Sequence, residues 1–292
     1  MIRPLLQLAR PANIVTAWAD VVAGYAVAGG LASLPLQGEV LGWLLLATTG
    51  LYGGGVAFND VFDAELDARE RPERPIPSGR ISRRSAATFA GILLLGGVAS
   101  AFVVSAIAGA LAIAIAAGAL VYDAFGKHRP LLGPINMGLC RGGNLLLGMG
   151  AVPILILEHW PLALLPVLYI SAITAISRGE VEGGSSKIGY LAVGLVVAVI
   201  AALGAMAMEA IATYPISGMF PFLFTAVVLP PFIRAAREPS ADMIRRAVRI
   251  GVLGLIPLNA SIAALHAGPA AALIVLALLP LSMLLARVFA VT

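Results

Sequence analysis

The longest polar segment of the chain places one asparagine and three aspartates at helical spacing. Asp63 follows Asn59 by four residues and Asp60 by three, and Asp67 follows Asp63 by four, so on a helix they share one face. Like charges on one face repel each other unless cations lie between them. Carboxylates, water and phosphate oxygens are the ligands that Mg²⁺ prefers. We therefore predict that Asp60, Asp63 and Asp67 bind magnesium and that Asn59 contacts a diphosphate substrate.

A proline-rich loop with several arginines follows this face. It runs from residue 69 to residue 80 and includes Arg71 and Arg74. A guanidinium group can bind two phosphate oxygens at once, so both arginines are predicted to contact the diphosphate. The alternative is an ordinary loop that sets membrane topology and whose acidic residues only balance its arginines.

Two ionisable residues, Asp20 and Arg141, lie inside runs that are otherwise apolar. Such residues are costly within a membrane and usually face a cavity or the interior of a helix bundle. Arg141 and Asn144 are three positions apart, and Asn136 precedes Asn144 by eight, so the three can line one side of a cavity. We predict a catalytic, diphosphate-binding role for Arg141 and a substrate contact for Asn144. The structural alternatives are an ion pair between Arg141 and Asp20, and hydrogen bonds between helices for the asparagines.

The composition indicates that lipid surrounds most of the chain. Of its 292 residues, 60% are hydrophobic and 12% are charged, and the mean hydropathy is +0.97. A soluble domain is roughly half apolar and a quarter charged. Cys140 is the only cysteine, so the chain cannot form an internal disulfide or a CxxC metal site.

Ten runs approach the ~20 apolar residues that a helix needs to cross the hydrocarbon core. They cover residues 12–31, 40–58, 85–105, 107–123, 133–157, 161–177, 188–208, 215–235, 245–266 and 269–290. Such runs are too long for barrel strands, and helices satisfy their own backbone groups in lipid. We predict an all-α, polytopic transmembrane helix bundle of nine or ten spans, because the separations near residues 106 and 268 are weak. One domain over residues 1–292 is the simplest organisation.

Lysine and arginine occupy alternate loops of this arrangement, as expected for the cytoplasmic side. They precede span one, follow spans two, four, six and eight, and close the last span. Both termini are therefore predicted to be cytoplasmic if there are ten spans, and the chemistry should lie on that side. These loops also account for the net charge of +4, so membrane lipid is an expected partner and nucleic acid is not.

The segment NDVFDAELD (residues 59–67), followed by RPERPIPSG (residues 71–79), is similar to the first acidic motif of the UbiA superfamily of intramembrane prenyltransferases. The sequence RPAN, which ends at Asn13, also resembles the family. The resemblance implies a helical bundle around a lipid-accessible cavity, aspartates that bind Mg²⁺ and a prenyl diphosphate, and a substrate contact from Asn13. With the short loops, it also favours a bacterial inner membrane.

A second segment, YDAFGK (residues 122–127), is similar to the tyrosine and lysine motif that the family has between spans four and five. The resemblance implies that Tyr122 and Lys127 are catalytic, because a lysine there can neutralise the departing diphosphate. The alternatives are a tyrosine anchored at the membrane interface and a lysine that only sets topology.

The second acidic motif of the family, normally aspartates after span six, is altered here to SRGEVEGG (residues 177–184). Glu180 is the best candidate metal ligand, and Lys187 beyond it is a candidate substrate contact. Glu182 is weaker, because a spacing of two points side chains apart on a helix. Whether a second magnesium binds, and whether catalysis survives, stays open. This motif and CRGGN (residues 140–144) resemble the EboC-type branch.

The predicted function is magnesium-dependent transfer of an isoprenoid group from a prenyl diphosphate to an unidentified acceptor, which the family suggests is aromatic. One alternative is a protein that binds prenyl diphosphates without turnover. Another is a transporter or flippase, since charges within spans can also mark a substrate pathway. Inverted repeats, which the transporter predicts, are not evident in the sequence.

Overall fold

Helices account for the secondary structure of residues 2–31 and 34–289, which are the residues that this computed structural model describes, and no strand occurs among them. In chain order the α-helices are α1 (Ile2–Ala9), α2 (Pro11–Val27), α3 (Leu34–Phe62), α4 (Ala64–Glu70), α5 (Arg83–Val104), α6 (Ala106–Ala124), α7 (Leu132–Gly148), α8 (Pro153–His159), α9 (Leu164–Ser177), α10 (Ser186–Ala210), α11 (Met219–Arg237), α12 (Ala241–Ala267), α13 (Pro269–Leu276) and α14 (Leu278–Val288). The prediction of an all-α bundle is confirmed.

Eight segments of the described chain are long and apolar enough to cross a membrane. They are α3, α5, α6, α8 with α9, α10, α11, α12, and α13 with α14. Helices α2 and α7 have 17 residues each and pack against each other within the bundle. Helices thus occupy all ten predicted positions, and the chain is an integral, multi-pass membrane protein.

The predicted boundary between spans five and six is wrong. The sequence predicts a separation between residues 157 and 161, whereas α7 ends at Gly148, a short 3₁₀-helix covers Met149–Ala151, and α8 begins at Pro153. Proline is favoured in the first turn of a helix because its missing amide hydrogen is not needed there. Hydropathy does not reveal this turn, since residues 149–157 are as apolar as the helices on either side.

The two weakest predicted separations are both present. Ser105 is extended between α5 and α6, and its hydroxyl accepts a hydrogen bond from the amide of Ala108 and donates one to the carbonyl oxygen of Gly150. Gly268 separates α12 from α13 with a φ of 85°, a conformation that glycine adopts without strain. Residue 290, the predicted end of the last span, lies outside the described residues.

The acidic segment is helical with one interruption. Helix α3 ends just before Asp63 and α4 begins just after it. The amide of Asp63 still donates to the carbonyl oxygen of Asn59 at 2.9 Å, and the amide of Asp67 donates to the carbonyl oxygen of Asp63 at 2.8 Å. Because these hydrogen bonds keep the helical spacing, the predicted face is retained across the break.

Helices α2 and α12 lie at the centre of the bundle. Most residues of α2 are buried, and α12 is the most deeply buried of the eight long spans. The backbones of α2 and α7 are in close contact, since a Cβ at Gly24 would lie 2.0 Å from the carbonyl oxygen of Leu145. Small residues allow such contact between membrane helices. This packing places Asp20 of α2 beside the middle of α7.

Candidate active site

Three cations from separate parts of the chain contact the three aspartates. Arg10 donates to Asp60 Oδ1 at 2.8 Å, and Arg74 Nη1 lies 2.7 Å from Asp67 Oδ2 and 3.3 Å from Asp60 Oδ1. Asp60 and Asp67 are only 4% and 5% exposed. Because buried carboxylates need partners, these arginines balance charges that would otherwise destabilise the fold.

The third aspartate is paired with the predicted catalytic lysine. Lys127 Nζ, which follows α6, donates to Asp63 Oδ1. The structure therefore brings together Asp63 and Lys127, which are 64 positions apart in the sequence. The lysine is held at the end of the bundle that carries the arginine-rich loops, hereafter the arginine-rich side.

Arg10 is a member of the site that the sequence predictions omitted. Among the described residues, it is the one non-glycine with a positive φ, at 49°. This sparsely populated conformation costs free energy, and it occurs where the chain turns from α1 into α2. The carbonyl oxygen of Arg10 accepts from the amide of Asn13 at 2.9 Å, while its guanidinium reaches Asp60. The RPAN motif was the available signal, although it was assigned to Asn13 alone.

Asp123 is a second omitted member. Asn59 Nδ2 donates to Asp123 Oδ1 at 2.8 Å. Asp123 is 3% exposed, and within the described chain its Oδ2 has no hydrogen-bond partner. A carboxylate only accepts hydrogen bonds, so the side-chain NH₂ group of Asn59 must face Asp123. The side-chain oxygen of Asn59 then points away from Asp123. The sequence feature that could have identified Asp123 is its position between Tyr122 and Lys127.

A cavity of about 270 Å³ begins beside these residues and extends into the bundle. Arg10, Asn59, Tyr122 and Asp123 line it on the arginine-rich side. Its wall is mostly apolar and includes Leu51, Val56, Ile115, Ala119, Met137, Ile170, Ile173, Val252 and Leu255. Tyr52 lies seven residues before Asn59 on α3, which corresponds to a depth of about 10 Å along the helix.

Arg141 and Asn144 line the deeper part of the same cavity. Arg141 Nε is 3.2 Å from Asp20 Oδ2, and the guanidinium lies over the ring of Tyr52, 5.3 Å from its centroid. Asn144 Nδ2 lies 3.0 Å from the same carboxylate oxygen. The ion pair that was one alternative for Arg141 is therefore present, and Asn144 both bonds between helices and faces the cavity.

The altered second motif lies in the loop between α9 and α10. Glu180 is half-buried, and burial raises its pKa, with Arg71, Arg245 and Arg10 opposing the shift. Its Oε1 is buried and has no hydrogen-bond partner among the described residues. Arg178 connects this loop to the segment after α6, since its Nη2 donates to the carbonyl oxygens of Lys127 and Arg129, both at 2.7 Å.

The UbiA prenyltransferase family matches residues 17–237 of this chain. The chain belongs to that family. The digeranylgeranylglyceryl phosphate synthase of Methanopyrus kandleri is 32% identical over 276 residues, which cover 89% of this chain and 99% of that enzyme. The synthase of Methanothrix thermoacetophila is 39% identical over 145 residues, 49% of this chain and 53% of that enzyme. Several of the curated relatives are thus matched over only about half of their length.

Solved structures of UbiA-family proteins share the fold. A structure of digeranylgeranylglyceryl phosphate synthase in membranes superposes with a TM-score of 0.66 at 20% identity, covering 91% of this chain and 98% of that one. A UbiA homolog from Archaeoglobus fulgidus bound to GPP and Mg²⁺ gives a TM-score of 0.51 at 20% identity, covering 94% and 99%. The predicted relationship to the UbiA superfamily is confirmed, and the resemblance to the EboC-type branch stays a prediction.

The remaining predicted residues of this UbiA-family chain lie around the site at different distances. Arg71 is half-buried and within electrostatic range of Glu180. Asn13 is buried in the first turn of α2, beside Arg10. Lys187 is exposed in the first turn of α10, and the cavity wall does not include it. Glu182 is also exposed.

The donor atoms suit magnesium in type, although no group of three Asp, Glu, His or Cys side chains in the described ranges is arranged to hold a metal by itself. The aspartates instead contact arginine and lysine. Mg²⁺ commonly binds through one or two carboxylates, waters and substrate phosphates, without a complete protein cage. The buried, unpartnered oxygens of Asp123 and Glu180 are hard ligands of the kind that such a shared site uses. The residues therefore fit the ion.

Proposed function

We propose that this UbiA-family chain transfers an isoprenoid group from a prenyl diphosphate to an acceptor within the membrane, with Mg²⁺ as the cofactor. One observation carries the proposal: buried Asp60 and Asp67, together with Asp63, contact three cations beside an apolar cavity. Charged groups of both signs suit a metal–diphosphate complex, and the apolar wall suits an isoprenoid chain. The Archaeoglobus relative that binds GPP and Mg²⁺ supports the same assignment.

The aspartates of the acidic face and Glu180 would hold the metal. Bound magnesium would offset the charge of the diphosphate and make it a better leaving group. Asn59, Arg71 and Arg74 would contact diphosphate oxygens. The amide of Asn13 donates to the carbonyl oxygen of Arg10 and would hold that arginine in position. Lys187 is exposed and would contact the substrate only at the outer edge of the site.

In the transfer step, the bond between the allylic carbon and the diphosphate oxygen breaks, and its electron pair stays on pyrophosphate. Lys127, Arg10 and Arg74 are fixed cations beside that developing charge, so they stabilise the transition state more than the ground state. An electron pair of the acceptor forms the new bond to carbon, and the acceptor loses a proton. Tyr122 and the apolar wall keep water from the reactive carbon.

The acceptor has two candidates. The archaeal relatives are named for the synthesis of digeranylgeranylglyceryl phosphate, so a glyceryl phosphate lipid is one. An aromatic acceptor, as the family resemblance suggests, is the other. The rival functions are a binder of prenyl diphosphates without turnover and a transporter or flippase.

The deciding experiment measures pyrophosphate released from geranylgeranyl and farnesyl diphosphates by the purified protein in membrane extract, with and without Mg²⁺. Asp63→Asn should abolish the release, because it removes one of the carboxylates that would hold the metal. Asp242→Asn is the matched control, since Asp242 is exposed and its one ion-pair partner among the described residues is Arg245, three residues away. Magnesium-dependent binding without release would favour the non-catalytic binder, and neither binding nor release would sink the proposal for these donors.

We also propose that residues 1–292 form one UbiA-type domain with the arginine-rich side in the cytoplasm. Helix α12 lies beyond the family match but lines the cavity through Val252 and Leu255. In a Cys140→Ser background, a membrane-impermeant maleimide should label Ser78→Cys only from the cytoplasmic side and Glu158→Cys only from the opposite side. The reverse pattern would overturn the orientation. The relatives reported above are archaeal and do not support a bacterial membrane over an archaeal one.

A further inference from the structure

A polar group without net charge lies at the inner end of the cavity. It consists of Arg141 and Asp20, which are 6% and 0% exposed and form an ion pair. Asn259 Nδ2 donates to Asp20 Oδ1 at 2.6 Å, and Asn144 Nδ2 donates to Asp20 Oδ2 at 3.0 Å. Both oxygens of Asp20 are thus occupied, and its charge is matched inside the protein.

Two nitrogen atoms of Arg141, Nε and Nη1, have no hydrogen-bond partner in the described chain. Its Nη2 donates to Thr16 Oγ1 at 2.9 Å, and its Nε lies 3.2 Å from Asp20 Oδ2, where the opposite charges attract without a hydrogen bond. Its Nη1 is buried and has no hydrogen-bond partner among the described residues. The ring of Tyr52 lies over the guanidinium and restricts its rotation. Because Arg141 lines the cavity, a ligand in the cavity can supply the missing acceptor atom.

The charge balance defines the chemical class of that ligand atom. A second anion beside Arg141 would leave one unmatched negative charge in an apolar interior, which is costly. A cation or a group that only donates cannot accept from Nη1. We propose that the inner end of this cavity binds an uncharged oxygen, a carbonyl, ether or hydroxyl, of the acceptor through Arg141 Nη1. This inference rests on the proposed function, and Arg141 is then a residue that selects the acceptor.

The position of Arg141 separates this oxygen from the donor diphosphate. Tyr52, which contacts Arg141, lies about 10 Å from Asn59 along α3. A charged group on the acceptor would meet Arg10 and Arg74 on the arginine-rich side, whereas its uncharged end would reach Arg141. Either candidate acceptor, a glyceryl phosphate lipid or an aromatic compound, fits this arrangement only if the part of it that reaches Arg141 carries no charge.

The test uses two probes of nearly equal shape and different charge, 2-acetylnaphthalene and 2-naphthoate. Equilibrium dialysis against the full-length protein in nanodiscs, with empty nanodiscs subtracted, measures the binding of each. The wild type should bind the acetyl compound at least about ten-fold more tightly than the anion. Arg141→Lys keeps the charge that Asp20 requires but lacks the forked guanidinium, so it should lose this preference. Arg249→Lys, an exposed arginine on α12, should keep it.

Any one of three results would overturn the inference. These are equal or tighter binding of 2-naphthoate, no binding of either probe at millimolar concentration, and an unchanged preference in Arg141→Lys. If Arg141→Lys does not fold, the charge-free pair Asp20→Asn with Arg141→Gln replaces it and should also lose the preference. Pyrophosphate release is measured on the same samples. If the protein shows the probe preference but releases no pyrophosphate, the subsite is supported and the proposed transfer is contradicted. If it releases pyrophosphate but shows no preference, only the subsite is contradicted.

Discussion

Asn259 on α12 donates a hydrogen bond to Asp20 on α2, across 239 positions of the sequence. Both side chains are fully buried, so the contact joins the two central helices through a polar pair inside an apolar bundle. The family match ends before α12, yet one of the hydrogen bonds to the buried carboxylate of Asp20 comes from this asparagine. Stability and ligand binding are therefore coupled at one buried carboxylate.

Replacing Asn259 with leucine should destabilise the protein by about 1–3 kcal/mol, because a buried carboxylate oxygen loses its donor. Thermal unfolding in detergent, followed by the loss of monodisperse protein on size-exclusion chromatography, measures the change. Ser261→Ala is the matched control, since Ser261 is equally buried but, within the described part of the chain, its hydroxyl bonds only to the carbonyl oxygen of Pro257 in its own helix. Equal melting temperatures for wild type and Asn259→Leu would contradict the role of the contact.

Gly24 is expected to tolerate no side chain. A Cβ there would lie 2.0 Å from the carbonyl oxygen of Leu145, and backbone cannot move aside as a flexible side chain can. Gly24→Ala should therefore separate α2 from α7 and lower the stability by about 1–3 kcal/mol, the usual cost of overpacking. Gly42→Ala meets nothing within 4 Å and should leave stability unchanged or raise it by about 0.5–1 kcal/mol, since alanine favours the helix. Comparable melting temperatures for the two variants would refute the close approach.

Hydropathy and spacing were sufficient to predict the helices and the face formed by Asp60, Asp63 and Asp67, because both signals are local. They did not reveal the turn after Gly148, where apolar residues continue through the break. Helical spacing predicted that Arg141 lines a cavity. Asp20 was its candidate partner, because charged residues within spans are rare and usually pair with one another.

The partners of the acidic face could not be predicted from the sequence. Arg10 reaches Asp60 across 50 positions and Asn59 reaches Asp123 across 64, and such pairs depend on how helices rotate and pack. In the sequence, Asp123 looks like an ordinary charged residue at the end of a span. Only the fold shows that it is buried and joined to the acidic face.

Glu180 should make stability depend on pH in a defined direction. Burial raises its pKa in the folded state, so folding favours the protonated form. Its stabilising contribution is present below the ordinary pKa of a glutamate and is lost as pH rises through the raised value. Without magnesium or donor, Glu180→Gln should therefore gain stability relative to the wild type as pH increases, and thermal unfolding across a pH series measures this.

Glu182→Gln is the control for that series, since Glu182 is exposed two residues away and should show the pH dependence of the wild type. With Mg²⁺ and a prenyl diphosphate present, the order at neutral pH should reverse, because a metal ligand is then lost in Glu180→Gln. If added Mg²⁺ and donor stabilise Glu180→Gln as much as the wild type, Glu180 does not hold the metal.

Lys127 is expected to act in the chemical step through its charge. It contacts Asp63 in the described structure, which would hold its charge beside the diphosphate where negative charge develops. Lys127→Met should lower kcat by about 10²–10³ with a smaller change in KM, because the interaction strengthens in the transition state. Lys127→Arg should recover part of the rate, since it restores a cation at a slightly different position. Pyrophosphate release at saturating donor measures kcat, and a variant that raises KM with kcat unchanged would assign Lys127 to ground-state binding instead.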